Sequence, residues 1–371
     1  DVETMFVAKD LLNTLGVNNL DCRFNGSNFK INNRADWLFN STISGIDKVD
    51  KLFIIGCDPR REASILNARI RQRWLTGELE ILSLCTPNDL TYDLKSFGND
   101  LAKLNDNKFI NTIKKYFKDA KFPMFIIGDS IFVNEDGKKI HNFLKFLAQE
   151  CKIINDSWNG FCILSSYASR TGGLEIGFIP SEKGLNTNLI KEKILKKKIK
   201  LLFLLEADDF DLPDHDPKLT KIVYLGHHGD KLASKADIIL PITAFTEKKA
   251  LYVNIEGRPQ FTKKIIEKKG VAVDGWKVFR ALSDILKLKL PYNTHSQLIE
   301  HIFKKHPQIS RINFVSKAVW TEALEDAFEF KSYTKDYSIS NYYQTCPITR
   351  ASNNMANCTK AFLTKKNNKY E

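Results

Sequence analysis

The residues most able to do chemistry fall in two clusters. In Gly226-His-His-Gly-Asp230, two adjacent imidazoles follow a branched apolar run, which puts them at a strand end within reach of a metal or a substrate. Successive side chains on a strand diverge, however, and no nearby Cys/His set completes a four-ligand site. Loop histidines bonded to backbone are therefore the preferred reading. In Asp58-Pro-Arg-Arg61, cations stand at a helix start, against the positive end of its dipole. Arg69 and Arg73, four apart, extend the basic surface along the same helix. A carboxylate or phosphate facing Arg60, Arg61, Arg69 and Arg73 is expected, which makes this face an interface. The competing reading is a solvated face with local ion pairs to Glu62 and Glu78, worth little energetically. No G-x-G-x-x-G follows a strand, and G-x-x-x-x-G-K-[ST], G-x-S-x-G and H-E-x-x-H do not occur. Residue type and spacing thus assign no catalytic, cofactor-binding or metal-ligating residue.

The elements that must position these residues follow from length and pattern. With 371 residues, 43% hydrophobic and 27% charged, the chain is long enough for two or three ordinary globular domains. Lys51 to Gly56, Ile81 to Cys85 and Phe122 to Gly128 read as buried strands, with helical patterns at 59–74, 107–119 and 138–150. Asp58 is placed to cap the first helix and Pro59 to occupy its first position. Buried strands alternating with helices imply a parallel sheet covered on both faces, so 28–150 is expected to form a first α/β domain. The pattern restarts in 151–290 with a helix at 189–198 and strands at 199–205, 221–225 and 237–240. A short hairpin turning at Glu256-Gly257 and a helix carrying Val278, Leu282 and Ile285 follow. Residues 1–27 are expected to pack on this second α/β domain, and 291–371 to form an extension lying over it.

Composition narrows the setting. The longest apolar stretches, such as Leu201 to Leu205, are far too short to cross a bilayer as a helix. A net charge of +12 is compatible with nucleic acid, but the densest basic run, Lys191 to Lys200, lacks aromatics that would stack on bases, so nucleic-acid binding is disfavoured. Seven cysteines without a C-x-x-C suit reduced thiols. The start, Asp1-Val-Glu-Thr-Met, carries no charged leader followed by an apolar segment. A targeting peptide is expected to be absent or already removed, and the chain a processed or cropped piece.

Taken together, the motifs resemble a known family. They are Ser41-Thr-Ile-Ser-Gly-Ile-Asp47, Cys57-Asp-Pro-Arg-Arg through Arg71, Asp89-Leu-Thr-Tyr92, Tyr224-Leu-Gly-His-His-Gly-Asp230 and Ala236-Asp-Ile-Ile-Leu-Pro241. Thr246-Glu-Lys248, Tyr252 to Arg258 and Asp274 to Leu282 follow in the same order, and Asp336 to Lys360 completes the set. In this order the chain resembles the C-terminal part of the large iron-sulfur subunit of mitochondrial respiratory complex I, NADH:ubiquinone oxidoreductase. That part is similar in turn to molybdopterin oxidoreductases such as formate dehydrogenase.

The resemblance implies two Rossmann-like domains of the molybdopterin oxidoreductase type with parallel sheets, plus a C-terminal tail. It implies a non-catalytic, structural role in the peripheral arm, on the matrix side of the mitochondrial inner membrane. No cofactor is expected in this chain: the iron-sulfur clusters belong on an N-terminal half that is missing here, and FMN on a partner subunit. Other peripheral-arm subunits, including that cluster-bearing half if it is separate, are the expected partners. The enzyme alternative is a molybdopterin oxidoreductase that retains its pterin, with Cys22 or Ser27 near the metal. The remaining alternative is a basic module binding nucleotide or nucleic acid.

Overall fold

In the computed structural model, residues 1–133, 135–326, 328–334 and 341–364 are described. The first sheet is built from β1 (Lys51–Ile55), β2 (Glu80–Leu84), β3 (Lys95–Ser96), β4 (Pro123–Gly128) and β5 (Phe161–Leu164), in the order β3-β2-β1-β4-β5. Every pairing in it is parallel. The strands Leu-Phe-Ile-Ile and Met-Phe-Ile-Ile are apolar at every position because both of their faces are covered. One face packs under α4 (Asn107–Phe117) and α5 (Gly137–Glu150), through Phe53, Phe125, Phe109 and Leu144. The other packs under α3 (Ser64–Trp74), through Leu52, Ile54, Leu66 and Ile70.

Two details depart from the sequence reading. The helix expected over 59–74 is broken. Asp58 caps α2 (Pro59–Glu62) through the Arg61 N–H, but Ala63 leaves the helical region at φ −151° and α3 restarts at Ser64. The first sheet also runs past residue 150: Phe161-Cys-Ile-Leu pairs in register with Phe125-Ile-Ile-Gly and forms its edge. This four-residue run is too short for periodicity to separate it from its surroundings.

The second sheet has three parallel strands, β6 (Leu201–Leu205), β7 (Lys221–Gly226) and β8 (Ile238–Pro241), with β7 in the middle. Between the sheets run α6 (Arg170–Glu175) and α7 (Thr187–Leu195), the latter packing Ile190 and Ile194 on one face of the second sheet. The other face packs against α1 (Val2–Thr14) and α8 (Gly275–Ile285), which bring Phe6, Leu11, Trp276 and Phe279 to Val223 and Leu225. The hairpin of β9 (Leu251–Val253) and β10 (Pro259–Phe261) is antiparallel, as its alternation suggests.

The C-terminal extension does not stay on the second unit. Its α9 (His295–Lys305) does pack there, through Leu298 and Ile302. Residues 316–326 and 328–333 then cross to the first unit, correcting the expected placement. Side-chain amides serve the backbone along this path: Gln149 both donates to the Ala323 carbonyl (3.1 Å) and accepts from the Ala323 N–H (2.6 Å), and Asn105 does the same for Phe330. Trp320 sets its ring 5.3 Å from Phe161, while the Lys145 ammonium lies 4.5 Å from the centre of the Trp320 ring. Further on, α10 (Pro347–Arg350) and α11 (Asn353–Thr359) return to the second unit. Arg350 there holds Asp209 (2.9 Å) and Asp230 (2.5 Å), while Tyr342 accepts from Arg61 of α2 (3.0 Å). The tail therefore touches both units.

Beneath the crossing segment, His141 is fully buried among Phe29, Phe132 and Phe161. Its Nε2 lies 2.9 Å from the Asp36 carbonyl and its Nδ1 has no partner. Burial pushes its pKa down to about 4. A proton on Nδ1 would be stranded in an aromatic cage, so the folded chain refuses it while the unfolded chain accepts it near pH 6.5. This contribution is complete above pH 6.5 and is lost as pH falls from 6.5 to about 4, to a total on the order of 3 kcal/mol. Urea unfolding between pH 4 and 7 should show that slope, and His141→Gln should flatten it.

Candidate functional site

In an open parallel sheet, the place for a ligand is the crevice outside the carboxyl ends of the strands where the order reverses. Here that point lies between β1 and β4. Backbone and side chains of the chain itself fill it. Gly56 ends β1 at φ +63°, and a Cβ there would overlap the Ile131 side chain. A Cβ on Gly128, which ends β4, would overlap the Gly56 carbonyl. Ser130 adds a hydrogen bond to the same carbonyl (3.2 Å). A cavity of about 500 Å³ does open in the first unit, but by Trp74, Glu80, Lys95, Phe97 and Tyr116, along β2 and β3.

Beside the crevice is a buried polar cluster organised by Arg170, the first residue of α6. Its guanidinium pairs with Asp129, just beyond β4, and donates to the Ser27 hydroxyl (3.1 Å) and the Asn25 amide oxygen (2.7 Å). Ser165, just beyond β5, donates to the same Asp129 carboxylate (3.0 Å). The Tyr167 ring covers the guanidinium at 4.4 Å, and Phe24 packs edge-on against Tyr167. Asp21 anchors the segment on the other side, pairing with Arg23 (2.8 Å) and accepting from the Thr187 N–H at the start of α7 (3.2 Å). Cys22 backs onto Gly173, and burial pushes its thiol up to about 12.

The sequence-selected residues fall elsewhere, and not together. Each of the four arginines has a partner within the chain: Arg60 pairs with Asp89, Arg61 with Asp58 (2.7 Å), Arg69 with both oxygens of Asp47 (2.8 and 2.7 Å), and Arg73 with Glu78. Arg73 also donates to the Val49 carbonyl (2.9 Å). The cations at the helix start are thus balanced from inside, and the argument that an outside carboxylate must face them falls away. His227 and His228 do not diverge onto backbone partners. Their Nδ1 atoms lie 2.6 Å apart with the rings perpendicular, so one must donate to the other. Burial lowers the pKa of His227. Among the described residues no group of three or more His, Cys, Asp or Glu side chains is placed to hold a metal ion. The sequence reading missed Arg170 and Asp129. The signal available for Asp129 was an acid directly after a strand-closing glycine; for Arg170 there was none.

Residues 1–285 match the molybdopterin oxidoreductase family. The chain belongs to that family. Residues 312–358 match a second family, the C-terminal region of the NADH-ubiquinone oxidoreductase G subunit, which covers both the crossing segment and the Arg350 clamp. Among curated proteins, the chain is 34% identical over 366 residues to the NADH-quinone oxidoreductase G subunit of Rickettsia felis, covering 97% of this chain and 52% of the relative. It is 35% identical over 376 residues to the mitochondrial 78 kDa subunit of NADH-ubiquinone oxidoreductase of Neurospora crassa, covering 97% and 49%. The 75 kDa subunit from Reclinomonas americana is 34% identical over 380 residues, covering 98% and 54%. The chain spans about half the length of the relatives it matches.

Cys22 and Ser27, the two residues a retained pterin would call on, are engaged within the chain: Cys22 packs on Gly173, and the Ser27 hydroxyl is buried and accepts from Arg170. Arg170→Met would leave the Asp129 carboxylate buried and unpaired, which should cost about 3 to 5 kcal/mol of unfolding free energy. Urea titration checks this. Arg170→Met/Asp129→Leu should recover much of the loss, because the stranded charge is gone.

Proposed function

We propose that the chain is a structural, non-catalytic part of the peripheral arm of respiratory complex I, carrying no pterin, metal or flavin. Electron transfer from NADH to ubiquinone then runs through cofactors outside these residues, the iron-sulfur clusters on the N-terminal half and FMN on a partner subunit. The observation that carries the reading is the joining, in one chain, of a molybdopterin-oxidoreductase fold with a plugged crevice to a tail matching the NADH-ubiquinone oxidoreductase G subunit. The named relatives support it, since they align over nearly the whole chain. We place the chain on the matrix side of the mitochondrial inner membrane. Among the described residues no helix is long and apolar enough to cross a membrane, which agrees with a peripheral position.

On this reading the chain migrates in native gels of detergent-solubilised mitochondria with the band that oxidises NADH, and carbonate washing of mitoplasts releases it. Elemental analysis of the purified chain should find molybdenum, tungsten and iron well below one atom per chain, with no visible absorbance from flavin or iron-sulfur clusters. Stoichiometric molybdenum or tungsten would overturn the non-catalytic role and favour the pterin enzyme.

A further inference from the structure

The second sheet is unfinished at its amino end. Strands of a parallel sheet are normally covered on both faces, yet β8 exposes two successive residues, Ile238 and Ile239, each at 52%. One of the two points to each face. Ile238 shares the α8 face with Leu240, and across β7 that face carries Leu201, which lies two residues before Phe203 and is 53% exposed. Phe203 packs on Phe279 of α8 at 5.9 Å. From Phe279 the helix runs six more residues, about 9 Å, against about 7 Å from Phe203 back to Leu201. Its end therefore comes level with this rim, and Leu286 (43% exposed), about two turns on from Phe279, lies on the side that faces the sheet. The edge of β8 is open as well. Among the described residues, strand pairing on its outer side is confined to its carboxyl end, where the Val273 N–H donates to the Pro241 carbonyl and Ile242 bridges to Val273.

The charge around this rim has one sign in excess. Lys200, Lys235, Lys287 and Lys289 are all exposed there, at the entries to β6 and β8 and after α8. Of the neighbouring acids, Asp237 is engaged with Lys221 (2.7 Å) and the Ile222 N–H (2.9 Å), and Asp284 with Arg280, which leaves the exposed Asp214 in the loop before β7 against the four lysines. We propose that this rim docks an extended acidic segment of a partner protein, which pairs with the open edge of β8 and lays apolar side chains on Ile238. Strand addition supplies backbone hydrogen bonds, alternate side chains meet the exposed isoleucine, and carboxylates meet the lysines. A second copy of the chain is disfavoured because two lysine rims repel. A membrane surface is disfavoured because the rim carries only Leu and Ile, without the Trp or Tyr that anchor at a lipid interface. The inference does not depend on which assembly holds the chain.

The test is zero-length cross-linking with a carbodiimide, which joins a lysine amine to a touching carboxylate, applied to the native assembly containing the full chain. The expected result is links from Lys235, Lys287 or Lys289 to acids within one stretch of one other polypeptide. Ile238→Glu should lower those links about tenfold or more, as expected from losing one apolar anchor and adding a like charge to the segment's own. Links from a remote lysine such as Lys108, and the thermal midpoint of the chain, should stay near wild type. If Ile238→Glu does not fold, Lys235→Glu with Lys287→Glu replaces it with the same outcomes. The proposal is overturned by an absence of links to another polypeptide, by links to a second copy, by links unchanged in the variant, or by rim-dependent binding to anionic phosphatidylserine vesicles.

Discussion

One buried guanidinium ties the two halves of the molecule together. Arg170 opens α6, the first helix after the first sheet, and its three hydrogen-bonding partners come from the end of β4 and from the strand-less segment at 25–27. A buried arginine is tolerated only where its charge is matched and most of its donors are used, as Nη1 and Nη2 are here while Nε is not, and few geometries satisfy that requirement. The pair does not favour folding over an apolar equivalent of the same shape. Its effect is to exclude arrangements in which Ser27, Asp129 and α6 lie anywhere else. Because the segment at 25–27 leads back through Asp21 to α7, this constraint also sets where the second unit begins.

The same packing removes the room that the fold would otherwise offer. Parallel sheets leave a crevice where their strand order reverses, and the two glycines at the ends of β1 and β4 would ordinarily let a ligand's backbone-facing groups come close. Here their lack of a Cβ is used to let Ile131 and the strand ends close on each other. That closure adds packing at the carboxyl ends of the two strands. The tail extends the same logic outward, since residues 316–326 and 328–333 cover the first unit and Arg350 clamps the carboxyl-end corner of the second.

Much of this was legible in the residues. The apolar runs at 52–55, 123–128 and 222–226 are strands because a fully buried parallel strand has no polar face to show. The cap at Asp58 and the turn at Glu256-Gly257 likewise follow from local chemistry. Three things were not legible. The break at Ala63 interrupts an otherwise helical pattern, and β5 is only four residues long. The route of the tail over the first unit depends on side chains such as Gln149 and Asn105 that lie far from it in the chain.

What the sequence by itself determined is the class of fold and the kinship, because hydrophobic period and ordered motifs are local properties that survive without coordinates. It also determined that the familiar phosphate-cradling and hydrolase motifs are absent. Only the tertiary structure decided whether a charge is spent or available. Arg69 and Asp47 lie 22 residues apart, and Arg170 and Asp129 lie 41 apart, so nothing in their local surroundings announces the pairing. Coulombic partners, unlike periodicity, are chosen by distance in space, and distance in space is set only when the sheets have packed.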